Sequence, residues 1–224
     1  MFGFSCNYSP NSLITQCVDS ILKYHPDDKI VITDSQSEDK SYYEQYIGCE
    51  NIIILDNLNK NRQVGSFQII YDHFPNESYY VMIHDSLFFK KSIQKFLDSS
   101  EEFISFMYFP ETFNNETKNF CVDVFDNTPY QVPNVGTQIN ATFGPLFIIK
   151  NSLIKKIKDN NLLIKLKSNS KFEDQHFERI IGIWAEQEGY SPEKNNMEGE
   201  CLSRWGDIVS DNLEYFTKTF LTRS

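Results

Sequence analysis

Apolar residues in this chain fall into short unbroken runs, separated by longer stretches in which they recur every three or four positions. Phe2 to Cys6 is the first such run and predicts a strand. Pro10 and Asn11 then open a helix to about Tyr24, with Leu13, Cys17, Ile21 and Leu22 on one face, stopped by His25-Pro26-Asp27-Asp28. Lys29 to Thr33 predicts a buried strand, Asp34 to Lys40 a polar stretch, and the residues up to about Ile47 a short helix. Asn51 to Leu55 predicts a third strand and Asn57 to Asn61 a loop. Arg62 to Phe74 predicts a helix with Val64, Phe67, Ile70 and Tyr71 inward, and Tyr79 to Ile83 a fourth strand. Continuous apolar strands alternating with helices imply βαβ crossovers and a mainly parallel sheet covered on both faces. Ligands of open α/β sheets bind beyond the carboxyl ends of the strands. Topology alone therefore singles out Asn7 to Ser9, Asp34 to Ser37 and His84 to Ser86.

The second half has a different rhythm. Phe103 to Phe109 and Phe120 to Phe125 predict two strands around a polar, Asn-rich loop, as in an antiparallel excursion. Asp126 to Phe143 predicts a long loop, and loops of that length are often functional. Gly144 to Lys150 predicts another strand, Ser152 to about Asn160 a helix, and Phe172 to Glu188 an amphipathic helix ended by Gly189. The tail from Ser191 carries Trp205 and predicts a last helix from about Asp207.

The 224 residues suit one domain with a real core, and 40% hydrophobic with 15% aromatic residues excludes a disordered chain. A formal net charge of −10 argues against a nucleic-acid partner, and no polybasic segment addresses an anionic membrane. No run approaches 18 apolar residues, so no membrane span is expected. The five cysteines are odd in number and contain no C-x-x-C pair, and the first residues lack a signal-peptide pattern. A reducing, cytoplasmic location is the expectation.

Three acidic positions carry candidate chemistry. Asp34 ends a buried strand, where a carboxylate can accept the N3–H of a pyrimidine or simply cap a turn. His84-Asp85-Ser86 follows another strand, where Asp85 can hold Mn²⁺ or Mg²⁺ against a diphosphate or serve as a strand-end cap. Glu173-Asp174 opens a helix, where a carboxylate favours the macrodipole or acts as a general base toward a hydroxyl. His84-Asp85 with His73, Asp174 and His176 also echoes the metal set of HD phosphohydrolases, which is borne on helices. The turn Asn7-Tyr8-Ser9-Pro10 has no glycine and no P-loop occurs, which counts against NAD, S-adenosylmethionine and P-loop chemistry, and without a G-x-S-x-G elbow an α/β-hydrolase triad has no support.

The order of these segments resembles GT-A glycosyltransferases, particularly the inverting, family 2-like enzymes. Val31-Ile32-Thr33-Asp34-Ser35-Gln36-Ser37-Glu38-Asp39 stands where that family has its acidic segment after strand two. His84-Asp85-Ser86-Leu87 stands at its incomplete D-x-D motif and Glu173-Asp174 at its Glu-Asp motif, with Arg179 further along the helix. The resemblance spans about residues 1–190 and is also to small glycosyltransferases of large DNA viruses, in which case the location would be the host cytoplasm. It implies an α/β GT-A fold, with a Rossmann-like, mixed, mainly parallel sheet flanked by helices. It implies one domain over 1–224: a nucleotide-sugar half (about 1–100), an acceptor half (about 101–190) and a tail (191–224). The implied activity is transfer of a sugar from a UDP-sugar donor to a hydroxyl of a glycan or glycoprotein, with inversion and metal assistance. Donor contacts would come from Asn7, Tyr8, Asp34, Arg62, His84, Asp85, Ser86 and Arg204, and the metal contact from Asp85. Asp174 would be the base, with Glu173 as the second choice. The alternative of a different class is a GT-A-like module that binds nucleotide sugar or glycan without turnover, favoured by the incomplete D-x-D motif.

Overall fold

The computed structural model describes residues 1–6, 13–35, 37, 39–57, 62–201 and 213–219. Strand β1 (Phe2–Cys6), helix α1 (Ile14–Tyr24), β2 (Ile30–Asp34), a 3₁₀ turn (Ser41–Tyr46) where a short helix is expected, β3 (Ile52–Asp56), α2 (Arg62–His73) and β4 (Tyr79–His84) follow the expected alternation, and the expected opening of the first helix at Pro10 and Asn11 lies outside the described residues. A short strand β5 (Leu87–Phe89) and helix α3 (Gln94–Leu97) come next, then β6 (Phe103–Ser105), β7 (Tyr108–Thr112) and α4 (Asn115–Phe125). The chain continues through β8 (Gln138–Thr142), β9 (Phe147–Lys150), α5 (Asn151–Asp159), α6 (Leu162–Lys165), α7 (Lys171–Gln187) and β10 (Phe216–Lys218).

The main sheet has the order β3-β2-β1-β4-β9-β6, with β1 to β4 parallel and β9 antiparallel to both of its neighbours. Alternate residues of each strand feed opposite faces. Tyr80 and Met82 of β4 join Val64, Phe67, Ile70 and Tyr71 of α2 in one core; Val81 and Ile83 join Ile14, Cys17, Val18 and Ile21 of α1 in the other. Both faces are covered, so β2 is buried along its whole length. The strand order reverses between β1 and β4. The crevice at the carboxyl ends of these two strands is where open sheets of this kind bind ligands.

The second half differs from the pattern read from the sequence. Residues 120–125 lie in helix α4, not in a strand. Asn114 caps this helix by accepting the Thr117 N–H at 2.8 Å, and Thr117, Cys121, Val124 and Phe125 form its buried stripe. The expected loop over 126–143 contains β8, which pairs antiparallel with β7 in a ribbon. The expected terminal helix begins in residues outside those described, and 216–218 form a strand paired with β5. An all-helical HD phosphohydrolase is excluded by the sheet: His84 ends β4 and Asp85 follows it. His73 is exposed at the end of α2, and His176 stacks on Phe120 at 4.1 Å with Phe172 edge-on at 4.5 Å. Among the described residues, no helix is long and apolar enough to cross a membrane.

Candidate active site

Asp34 sits at the carboxyl end of β2 with 1% of its surface exposed. Its Oδ1 accepts the Ser37 N–H at 2.7 Å, an Asx-type turn that fixes the carboxylate. Its Oδ2 is buried with no hydrogen-bond partner among the described residues, and the Lys40 ammonium lies 3.9 Å away. Asn57, fully buried, donates its N–H to the Asp34 carbonyl at 2.7 Å and its side-chain amide to Ser35 Oγ and the Arg62 carbonyl. The Asn57 Oδ1 is likewise buried without a hydrogen-bond partner among the described residues. Buried acceptors are ordinarily satisfied. Two buried acceptors without hydrogen-bond partners among the described residues suit a ligand that presents N–H and O–H donors.

Arg62 begins α2, and its guanidinium Nη1 is 3.8 Å from Asp174 Oδ2. Asp174 comes from the first turn of α7, so the ion pair joins the two halves of the chain across the carboxyl edge. Ser168, itself fully buried, accepts the Gln63 N–H at 3.3 Å and donates to Asp174 Oδ1. Glu173 is turned the other way. Ser170 caps α7 by accepting the Glu173 N–H at 3.2 Å, and Glu173 Oε2 reaches back to the Asn169 N–H at 2.7 Å. Arg179 is held in a two-pronged pair with Glu111 of β7, at 2.7 and 2.8 Å.

His84, Asp85 and Ser86 surround Lys218 of β10. The Lys218 ammonium is 3.1 Å from His84 Nδ1 and donates to Ser86 Oγ. Burial pushes its pKa down to about 8, against the pull of Asp85, Cys17 and Glu178, so it keeps its proton at neutral pH. With Nδ1 accepting from Lys218, a neutral His84 carries its proton on Nε2, which faces the Gln63 carboxamide at 3.4 Å. The Gln63 oxygen is buried and unpartnered as placed, and turning the amide over pairs it with that N–H. Gly144 packs on the same ring. Its φ is +69°, and a Cβ there would lie 2.9 Å from His84 Nε2, so only glycine suits the site without displacing the imidazole.

A divalent metal held by Asp85 at this triplet would meet the Lys218 ammonium. Mg²⁺ and Mn²⁺ take several hard oxygen donors. Asp85 can supply one of them, with substrate phosphates and water as the others, while His84 Nδ1 and Ser86 Oγ already face the Lys218 ammonium. Among the described residues, no three His, Cys, Asp or Glu side chains are grouped to hold a metal ion.

Of the residues expected from the sequence, Arg62, His84, Asp85, Ser86 and Asp174 are thus linked along one edge, with Asp34 adjoining through Asn57. Glu173 is engaged in the helix cap. Asn7, Tyr8 and Arg204 lie outside the described residues. Sequence reasoning missed Asn57, Gln63, Ser168, Lys218 and Glu178. Glu178 is one turn beyond Asp174, and burial pushes its carboxyl up to about 8, reinforced by the charge of Asp174 and opposed by Arg179 and a bond from the Gly144 backbone. Between the ordinary Glu value of 4.5 and about 8, the unfolded chain loses this proton while the folded chain keeps it. The contribution of Glu178 is therefore fully present below that interval and is lost as pH rises through it. Stability should fall by up to about 1.4 kcal/mol per pH unit relative to Glu178→Gln, and the difference should stop growing above the folded value. Urea titrations of both proteins from pH 5 to 9 check this, and parallel stability curves would contradict it.

The sheet order, the reversal between β1 and β4 and the acidic carboxyl edge define the GT-A fold of glycosyltransferases. GalNAc-T7, in a structure with UDP, GalNAc and Mn²⁺, superposes with a TM-score of 0.55 at 12% identity, over 82% of this chain and 40% of that one. Residues 1–349 of S. aureus TarS, in complex with UDP, match with a TM-score of 0.49 at 17% identity, over 78% of this chain. The chain spans about half the length of that TarS fragment, 52%. No protein-family model and no curated protein matches the chain.

Proposed function

We propose that the protein is a glycosyltransferase that moves a sugar from a UDP-sugar to a hydroxyl of a glycan or glycoprotein, with inversion. The observation that carries this reading is the buried Oδ2 of Asp34 and the buried Oδ1 of Asn57, both without a hydrogen-bond partner among the described residues, at the carboxyl edge of a GT-A sheet. Asp34 accepts the uracil N3–H, and Asn57 is placed to take a ribose hydroxyl. The nucleotide half is built from about residues 1–100 and the acceptor half from about 101–190, with Arg62 at their junction. Asn7 and Tyr8 would line the base and Arg204 the phosphates.

In the transfer, an acceptor hydroxyl gives its proton to Asp174 and forms a bond to the anomeric carbon. The bond from that carbon to the β-phosphate oxygen breaks, and its electron pair leaves with UDP. Arg62 keeps Asp174 aligned and adds positive charge beside the departing diphosphate. No metal ion is assigned to Asp85, because the Lys218 ammonium already stands in the triplet.

Asp34→Ala should weaken UDP binding by about 1.5–3 kcal/mol, the usual worth of a hydrogen bond to a charged group. Isothermal titration with UDP measures it, and unchanged affinity would reduce Asp34 to a turn cap. UDP release from a panel of UDP-sugars then separates a transferase from a module that only binds.

A further inference from the structure

The His84-Asp85-Ser86 triplet encloses a cation that the chain itself provides. Lys218 has 4% of its surface exposed, and buried lysines are rare unless they are paired. Its placement is built from both sides: Lys218 stands opposite Leu87 in the β5–β10 register, and the Thr219 N–H donates to the Ser86 carbonyl at 3.0 Å. An apolar residue would hold β10 in place at lower cost, as Phe216 two positions earlier does with a fully buried ring. What an apolar residue would not supply is a positive charge beside Asp85, at the carboxyl end of β4 and at the reversal point of the sheet.

We propose that Lys218 is the cation of the donor site: its ammonium, steered by His84, Asp85 and Ser86, holds the diphosphate of the nucleotide sugar, so binding and transfer proceed without a divalent metal. The inference rests on the UDP-sugar reading above. As the bond between the anomeric carbon and the β-phosphate oxygen breaks, the electron pair moves onto that oxygen and the developing charge is met by Lys218. The lysine keeps its proton throughout, and the acceptor's proton goes to Asp174. In GalNAc-T7, by contrast, the structure with UDP contains Mn²⁺.

The test is isothermal titration of the full chain with UDP and with uridine, in EDTA and in Mn²⁺, for the wild type, Lys218→Met and Lys218→Arg. The wild type should bind UDP in EDTA, within a few-fold of its affinity in Mn²⁺. Lys218→Met should lose about 10- to 100-fold in UDP affinity, the scale of a lost charge-assisted bond, and keep its uridine affinity. Lys218→Arg should recover part of the UDP affinity. The retained uridine affinity of Lys218→Met separates loss of diphosphate binding from loss of fold. UDP binding that requires Mn²⁺, or Lys218→Met with undiminished UDP affinity, overturns this proposal alone. No UDP binding by the wild type under either condition overturns the nucleotide-sugar reading and this proposal with it.

Discussion

Asp174→Asn should lower turnover by about 10²–10⁴-fold, the usual contribution of a positioned general base, while UDP-sugar affinity stays within a few-fold. A sugar hydroxyl is a weak nucleophile, and an amide keeps the shape of the carboxylate without taking the proton. The position of Asp174 is set by groups outside its own helix: the Ser168 hydroxyl donates to Oδ1, and the Arg62 guanidinium stands 3.8 Å from Oδ2. Glu173→Gln is the matched control. That carboxylate accepts the Asn169 N–H at the start of α7, and glutamine keeps an acceptor there, so the change should show in stability by only about 0.3–1 kcal/mol, the usual worth of a charge at a helix N-terminus, and leave turnover near that of the wild type. Steady-state UDP release with an identified acceptor, alongside titration of the donor, measures both effects. Full turnover in both variants would move the base elsewhere, with Glu178 the next carboxyl along the helix.

Gly182→Ala should cost about 2–3 kcal/mol and lower the melting temperature by roughly 5–10 °C. Gly182 lies mid-way along α7, where the helix rests on β8. A Cβ built there meets the Asn140 carbonyl oxygen at 2.2 Å and the Ala141 Cα at 3.0 Å. Both are backbone atoms of a paired strand, and neither can turn aside as a flexible side chain can. In an exposed helix the same change would stabilise by about 1 kcal/mol, so the sign of the result discriminates. Thermal denaturation gives the answer, and an unchanged or raised midpoint would contradict the close approach of α7 to the β7–β8 ribbon.

The half of the fold that builds the parallel strands was legible because its signals are local. β1 to β4 are short apolar runs bounded by polar turns, and in β2 burial on both faces removes the ambiguity of an alternating pattern. The half that follows was harder for physical reasons. In α4 the buried positions Thr117, Cys121, Val124 and Phe125 follow helical spacing, but a window confined to 120–125 shows only an aromatic, β-branched cluster. β8 reads Gln-Ile-Asn-Ala-Thr, and only Ile139 and Ala141 betray the inward alternation beneath α7. The acidic site positions were legible as strand ends and a helix start. Lys218 and Glu178 were not, because nothing in their neighbouring residues distinguishes them. Their chemistry comes from partners brought near by the fold, 134 residues away in the contact of Lys218 with His84.

That separation bears on how the site comes apart. β5 and β10 form a two-stranded ribbon of three residues each, seated beside a six-stranded sheet. A ribbon of this size has little stability of its own and depends on side chains such as Phe216, whose ring centre is 5.3 Å from that of Phe106. Segments of this kind open locally at lower free energy than the core they rest on. Opening the ribbon withdraws Lys218 from Asp85 while α2, α7 and the parallel strands stay in place. On heating, loss of Lys218 from the triplet should therefore precede global unfolding.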